Sequence, residues 1–413
     1  MGNCSRIQMT DKQAFVKRIC FDDVQVSLPE VEPWDGDEVS PDLLISALGF
    51  EDRASAIPQL FAERLPQGGA AIALLGCYDI NTQDNEGNGD AIRGALSRFC
   101  SEIRTFSAES PHEVQCAVQA ALQELRQSRQ KVRVAFDISG ASSTLILSVL
   151  ATLIPQAPRL VLDIVYAEPE EYAPPRFEYE SRLEELVQEA LSDGDDSSFA
   201  EQGVSDVDVN ELYPGLNAEN RPDRVIALPS LRTSRLVRCL AHISDQPLVS
   251  PVSSIFWILG EPPASSMRWR LDLQRRIVNR QLAVMVGKEP SDTTAPSLCE
   301  RNHHTCSTRD YRQTLGTLVS QIDQSAGSNV WLIHMGSKLQ AVGVALALQV
   351  RNEVTVLRAR PKQFNAGKYS SGVGTLWRLH FEDLAGVLGR LQQIGELELE
   401  TKIETSRERR PSC

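Results

Sequence analysis

Hydrophobic and polar positions run along this chain in two rounds of one pattern. The clearer round occupies residues 329–374. An apolar run of strand length (330–335) breaks at Gly336-Ser337-Lys338, an Ala- and Leu-rich stretch of helical length follows (339–350), and a second β-branched run closes it (354–357). Strand, glycine turn, buried helix and strand predict a βαβ unit with a parallel pair. Residues 131–172 repeat this order: a strand at 132–138, the small-residue turn Ser139-Gly140-Ala141-Ser142, an apolar helix, and a strand at 160–166.

The match extends upstream. Residues 104–130 correspond to 304–328, the strand at 71–75 to that at 255–259, and the stretch 42–53 to 223–232. The remaining helices are expected to about residue 65 and at 89–103, 111–129, 266–286 and 381–394. The fold class is therefore α/β: two tandem Rossmann-like lobes with mainly parallel sheets, related by internal duplication. The expected organisation is an N-terminal arm (1–40, with one short strand near 24–28), a first lobe (41–168), a connector with a helix at 179–191 (169–222), a second lobe (223–395) and a charged tail (396–413). Residues 192–219, rich in Asp, Ser and Gly, are expected to be loosely ordered.

Charge changes the picture. The formal net charge of −13 is uneven: residues 168–224 hold 17 acids and 4 bases, 1–167 hold 22 and 14, and 225–413 hold 16 and 24. The second lobe is thus the basic one, and a polyanion is expected mainly there. No run has the length of a membrane span, and no leader pattern opens the chain. Nine scattered cysteines, none in a C-x-x-C pair, suit a reducing compartment, so the expected location is cytoplasmic.

In open α/β sheets ligands sit beyond the carboxyl ends of the strands. That rule selects Glu51 and Arg53 after the first strand, and Asp137, Ser139 and Ser142 at the fourth. In the second lobe it selects Arg232 and Arg235, Ser337 and Lys338, then Arg358, Arg360, Lys362 and Tyr369. Lys368 adds to the basic run. Lys338, at a helix N-terminus, and Arg360 are expected to converge on one phosphate. Ser142 equally suits a plain helix cap. No catalytic residue stands out, and no cofactor or metal is assigned. Gly336-Ser337-Lys338 resembles half a P-loop but lacks the earlier glycine and its spacer, and no G-x-G-x-x-G follows either first strand, so neither a P-loop NTPase nor a dehydrogenase is indicated. Cys299, His303, His304 and Cys306 have zinc-type donors at a non-standard spacing. Arg268, Arg270, Arg275, Arg276 and Arg280 share one helix, either a solvated face or a face for phosphate or an acidic partner.

Two Rossmann-like lobes in one chain, with small polar turns after the first strands (Gly49 to Arg53, Ser230 to Arg235) and fourth strands (Ser139 to Ser143, Gly336 to Lys338), resemble the CARF and SAVED nucleotide sensors. That resemblance implies a cyclic oligonucleotide or related ligand lying across the strand ends, a role in prokaryotic antiviral signalling, and a separate effector protein as partner. The functional expectation is a sensor or adaptor that binds a nucleotide or other phosphorylated ligand between the lobes. Two alternatives stay open: an enzyme cleaving phosphoryl or glycosyl bonds on this scaffold, and a structural subunit docking on nucleic acid or an acidic protein through the basic lobe.

Overall fold

The computed structural model describes residues 19–21, 24–26, 28–192, 197–243, 254–289, 292–389 and 391. Its frame is two sheets. Their strands are β1 (Glu32–Pro33), β2 (Leu43–Ala47), β3 (Ala70–Cys77), β4 (Cys100–Ser107), β5 (Val132–Asp137), β6 (Leu160–Ala167), β7 (Glu201–Pro214), β8 (Asp223–Leu228), β9 (Ile255–Glu261), β10 (His303–Ser307), β11 (Asn329–His334), β12 (Thr355–Phe364) and β13 (Leu376–Phe381). The helices are α1 (Ala56–Arg64), α2 (Thr82–Phe99), α3 (Pro111–Leu125), α4 (Ser143–Leu153), α5 (Arg176–Leu191), α6 (Ser234–Ile243), α7 (Trp269–Met285), α8 (Tyr311–Gln324) and α9 (Lys338–Val350).

The first sheet runs β1-β13-β6-β5-β2-β3-β4 and the second β7-β12-β11-β8-β9-β10. Counted within each lobe, both read fifth, fourth, first, second, third, with an antiparallel strand added outside the fifth. The five strands of each core pair in parallel, so their helices cover both faces. The expected mainly parallel, two-lobed α/β architecture is what forms, and the fourth strands β5 and β11 occupy equivalent places.

The outer strands depart from the expected domain plan. After the first lobe's β6 the chain forms α5 and then β7, which pairs with β12 of the second lobe. After β12 it returns as β13, which pairs with β6 of the first lobe. Each lobe therefore lends its sixth strand to the other. The physical reason lies in β6: all eight residues are buried, and an apolar strand of that kind cannot be left as an edge. The 169–222 connector is consequently not loose filler over 201–214, the unit 223–395 loses β13 to the first sheet, and residues Glu32–Pro33 of the N-terminal arm pair with β13. The strand expected near 24–28 forms as Val24–Val26, paired with Ile19–Phe21. A helix begins at 384–389, later than the expected 381, because β13 extends through Phe381. The tail 396–413 lies outside the described residues.

Across the lobe boundary α4 packs on α9, the equivalent helix of the second lobe. Leu145 and Leu150 belong to the same apolar cluster as Val342 and Leu346, so both lobes share a core. Beyond the fifth strands, Glu171–Tyr172 and Ser370–Ser371 pair with each other as a small antiparallel ribbon. Asp163 in β6 would be costly if unpaired. It faces Arg378 (2.7 Å) and His380 (2.8 Å), both supplied by the lent strand β13.

Candidate ligand-binding cleft

Strand order in each sheet reverses between the first and fourth strands, which opens a crevice at their carboxyl ends. In the first lobe Gly140 lies so close to the first-strand turn that an added Cβ would stand 2.8 Å from Ala47 O. The crevice is walled by Gly49 to Glu51, Tyr78, Glu109 and residues 140–144, and β12 of the second lobe closes it. The cavity so formed has a volume of about 350 Å³. The second lobe does the same: residues 229–232, Gly260, Thr308, Arg309 and 335–338 wall a cavity of about 360 Å³, closed by Tyr166, Glu168 and Tyr172 from the end of β6. Arg235, Met335, Gly336, Lys338, Phe364 and Tyr369 line both. They are two chambers of one cleft, each a strand-end crevice of one lobe covered by the fifth strand of the other.

Where the chambers meet, Lys338 crosses between lobes. Its Nζ donates to Ala141 O (2.7 Å) and lies 3.8 Å from Glu51. Burial pulls the Lys338 ammonium down to about 8 against the attraction of Glu51. Burial would push the Glu51 carboxyl up, but Arg53 (2.7 Å), Lys338 and the Ser370 hydroxyl together hold it below its ordinary value. Arg53 also donates to Ala167 O (3.0 Å) and lies over the Tyr166 ring.

The two chambers differ in how their charge is answered. In the first, Arg358 makes a two-pronged pair with Asp208 (2.7 and 2.6 Å), and Arg360 reaches the same carboxylate at 2.9 Å. Arg235, which lines both chambers, pairs at 2.6 Å with Glu201, which lines the second. These acids come from β7, where Asp208 stands directly opposite Arg358. In the second chamber Arg270 donates to the backbone carbonyls of Tyr172, Ala173 and Pro174 (3.1–3.3 Å) and stacks on Tyr172 and Trp269. Burial lowers it to about 10. Lys368 donates to Ser197 O at 2.8 Å. Among the described residues neither has a carboxylate partner. Arg309 lies 3.9 Å from the Trp377 ring centre and 3.9 Å from Glu168.

Of the residues selected from sequence, Glu51, Ser142, Arg235, Lys338, Arg358, Arg360 and Tyr369 line the first chamber, and Arg53, Arg232, Arg235, Ser337, Lys338 and Tyr369 the second. Asp137 and Ser139 line neither. Asp137 accepts from Ser46 Oγ (3.0 Å) and Ser139 N (2.9 Å), and burial pushes its carboxyl up to about 6. Ser139 Oγ accepts from Ala167 N. Ser142 and Ser337 cap α4 and α9, Ser337 within a reciprocal capping box with Gln340. Arg232 is buried and donates to Ser197 Oγ and Ser192 O. Lys362 is exposed and lines neither chamber.

Participants that were not selected include Glu201, Asp208, Arg309, His334 and, as a single residue, Arg270. The alternation of Asp206 and Asp208 with Val207 and Val209 is the strand signal that would have found Asp208. Arg268, Arg275 and Arg276 of the arginine-rich segment are exposed, whereas Arg270 turns into the second chamber. His334 is 8% exposed in the first chamber, and neither ring nitrogen has a hydrogen-bond partner among the described residues. Cys306 is buried against Thr317, and His303 Nδ1 lies 2.7 Å from Cys299 O. Among the described residues no three His, Cys, Asp or Glu side chains come together to hold a metal ion. No described helix is long and apolar enough to cross a membrane.

No family model matches this chain, and no curated protein does. Among solved structures, Can2 from Sulfobacillus thermosulfidooxidans, in complex with cyclic tetra-adenylate, aligns with 86% of this chain and 97% of its own at 9% identity and a TM-score of 0.23. UDP-GlcNAc 2-epimerase from Neisseria meningitidis, bound to UDP-GlcNAc, aligns with 88% of this chain and 100% of its own at 8% identity and a TM-score of 0.19.

Proposed function

We propose that this chain binds a phosphorylated ligand of nucleotide size in the cleft between its lobes, with the phosphate in the second chamber. The observation that carries this reading is the positive charge of Arg270 and Lys368, which among the described residues meets carbonyl oxygens and, for Arg270, aromatic faces, but no carboxylate. Leaving a half-buried guanidinium without a counter-charge is costly, and an incoming phosphate would supply that charge. Arginine suits the role because its planar fork matches phosphate oxygens in pairs. The chamber, at about 360 Å³, falls in the size range of small-molecule sites.

Lys338, between the chambers and at the start of α9, would contact the same ligand from the lobe boundary. A ligand there touches both lobes at once, so its binding energy is available to shift one against the other. That is the property a sensor needs, and it agrees with the resemblance to the CARF and SAVED group. A separate effector protein would read the shift.

Calorimetry and thermal-shift measurements with pyrophosphate, adenosine 5′-monophosphate and adenosine test the reading. Both phosphorylated probes should bind and raise the melting temperature, and adenosine should do so far less. Arg270→Gln and Lys368→Gln should each weaken pyrophosphate about tenfold, the scale of a charge-assisted hydrogen bond. Equal binding by adenosine, or unchanged affinity in both variants, would sink the proposal.

A further inference from the structure

We infer that the cleft takes an asymmetric ligand: the first chamber receives its uncharged, flat part, a nucleobase-type heterocycle whose polar edge is read by His334. This rests on the phosphate reading of the second chamber and adds the ligand's other half. The two chambers are equivalent by strand order, yet their chemistry has diverged.

Three observations carry the assignment. The two cations found only in the first chamber are already neutralised from within the chain, since Asp208 holds both Arg358 and Arg360; Arg235, shared by both chambers, is held by Glu201 of the second. A second phosphate would have to displace those carboxylates, whereas an uncharged group need not. The chamber also carries an aromatic wall. Phe50, Phe364 and Tyr369 stand 5.3–5.8 Å apart by ring centres, and a planar ring stacks on such faces without regard to charge.

Finally, the chamber holds buried polar atoms with no partner among the described residues: both ring nitrogens of His334, Nε of Arg235 and Nε of Arg360. Burial, then the nearby Arg235 charge, pulls the His334 imidazole down to about 4, so at neutral pH it presents one donor and one acceptor. A donor beside an acceptor is what the edge of a nucleobase offers in return. Leaving such atoms unmade is costly, and a ligand that satisfies them recovers the cost.

Calorimetry on the full chain with pyrophosphate, ribose 5-phosphate and the four common nucleoside 5′-monophosphates separates the two halves. At least one nucleotide should bind roughly tenfold tighter than ribose 5-phosphate, the scale of one or two satisfied hydrogen bonds with stacking. In His334→Phe and His334→Leu that margin should fall by at least about fivefold while pyrophosphate affinity stays unchanged, which also shows that the variant is folded. With 15N-labelled histidine in the unmodified chain, the His334 nitrogens should shift on adding the preferred nucleotide and not on adding pyrophosphate. Pyrophosphate binding without any base-dependent margin, a margin that survives both substitutions, or His334 nitrogens unmoved by the preferred nucleotide overturns the base site and leaves the phosphate site standing. Failure of pyrophosphate itself to bind overturns both.

Discussion

Ser142 and Ser337 hold the same place in the two lobes. Each sits just after its lobe's fourth strand, in extended backbone (φ −73, ψ 161 and φ −69, ψ 163), and accepts the N–H three positions on, at 3.2 and 3.1 Å. The helices they cap, α4 and α9, pack on each other across the lobe boundary. Ser142→Ala and Ser337→Ala should each lower unfolding stability by about 1 kcal/mol. Ser337→Ala should cost more, since its hydroxyl also donates to Thr308 O. Urea melts of both variants check this; equal, negligible losses would mean the caps are incidental.

The exchange of β7 and β13 predicts that neither lobe is stable alone. A chain stopped at residue 369 lacks β13 and uncovers β6, whose residues are all buried, and strips Arg378 and His380 from Asp163. It should aggregate or pair through β6, visible in light scattering. A soluble, monomeric truncated chain would contradict the exchange.

Asp208 answers two arginines at once. Asp208→Asn should leave both uncompensated, lower the melting temperature, and make the first chamber attract anions. Pyrophosphate titrated into the variant should then show a second, weaker, strongly salt-dependent site. A single site, as in the unmodified chain, would count against the view that β7 neutralises this chamber.

Acid stability should carry two opposing contributions. His334 titrates near 4 when folded against an ordinary 6.5, so the unfolded chain takes up the proton first and stability falls as pH drops from 6.5 to 4. Asp137 titrates near 6 when folded against 3.8, so the folded chain takes up its proton first and stability rises as pH drops from 6 to 4. Each amounts to about 3 kcal/mol, so these two parts nearly cancel. His334→Phe should gain stability toward pH 4 relative to the unmodified chain, and Asp137→Asn should lose it. Urea melts across pH 4–7 read both slopes; parallel curves for all three chains would refute the assignment.

Lys338 bonds to the first lobe from the second. Lys338→Ala should weaken pyrophosphate by roughly tenfold, as the loss of one charge-assisted contact. If the lysine served structure alone, the melting temperature would fall and affinity would hold.

What the sequence determined by itself is what local periodicity can encode. Ten parallel strands, most of their helices and the order that makes the two lobes alike follow from apolar runs, small-residue turns and cap residues a few positions apart, although α6 was not expected and α2 starts earlier than the expected 89. The choice of strand ends as the place to look for a site also needs nothing more than this pattern. The tertiary structure alone decided which strand lies beside which at the sheet edges and which charge answers which. Asp208 and Arg358 are 150 residues apart, Asp163 and Arg378 are 215, and no local pattern marks them as partners. Composition made 201–214 look like solvated acid because its carboxylates were counted without the arginines they meet. Edge pairing depends on an unfilled row of backbone groups elsewhere in the chain, and ion pairing on distance through space, so both are set only once the lobes have closed on each other.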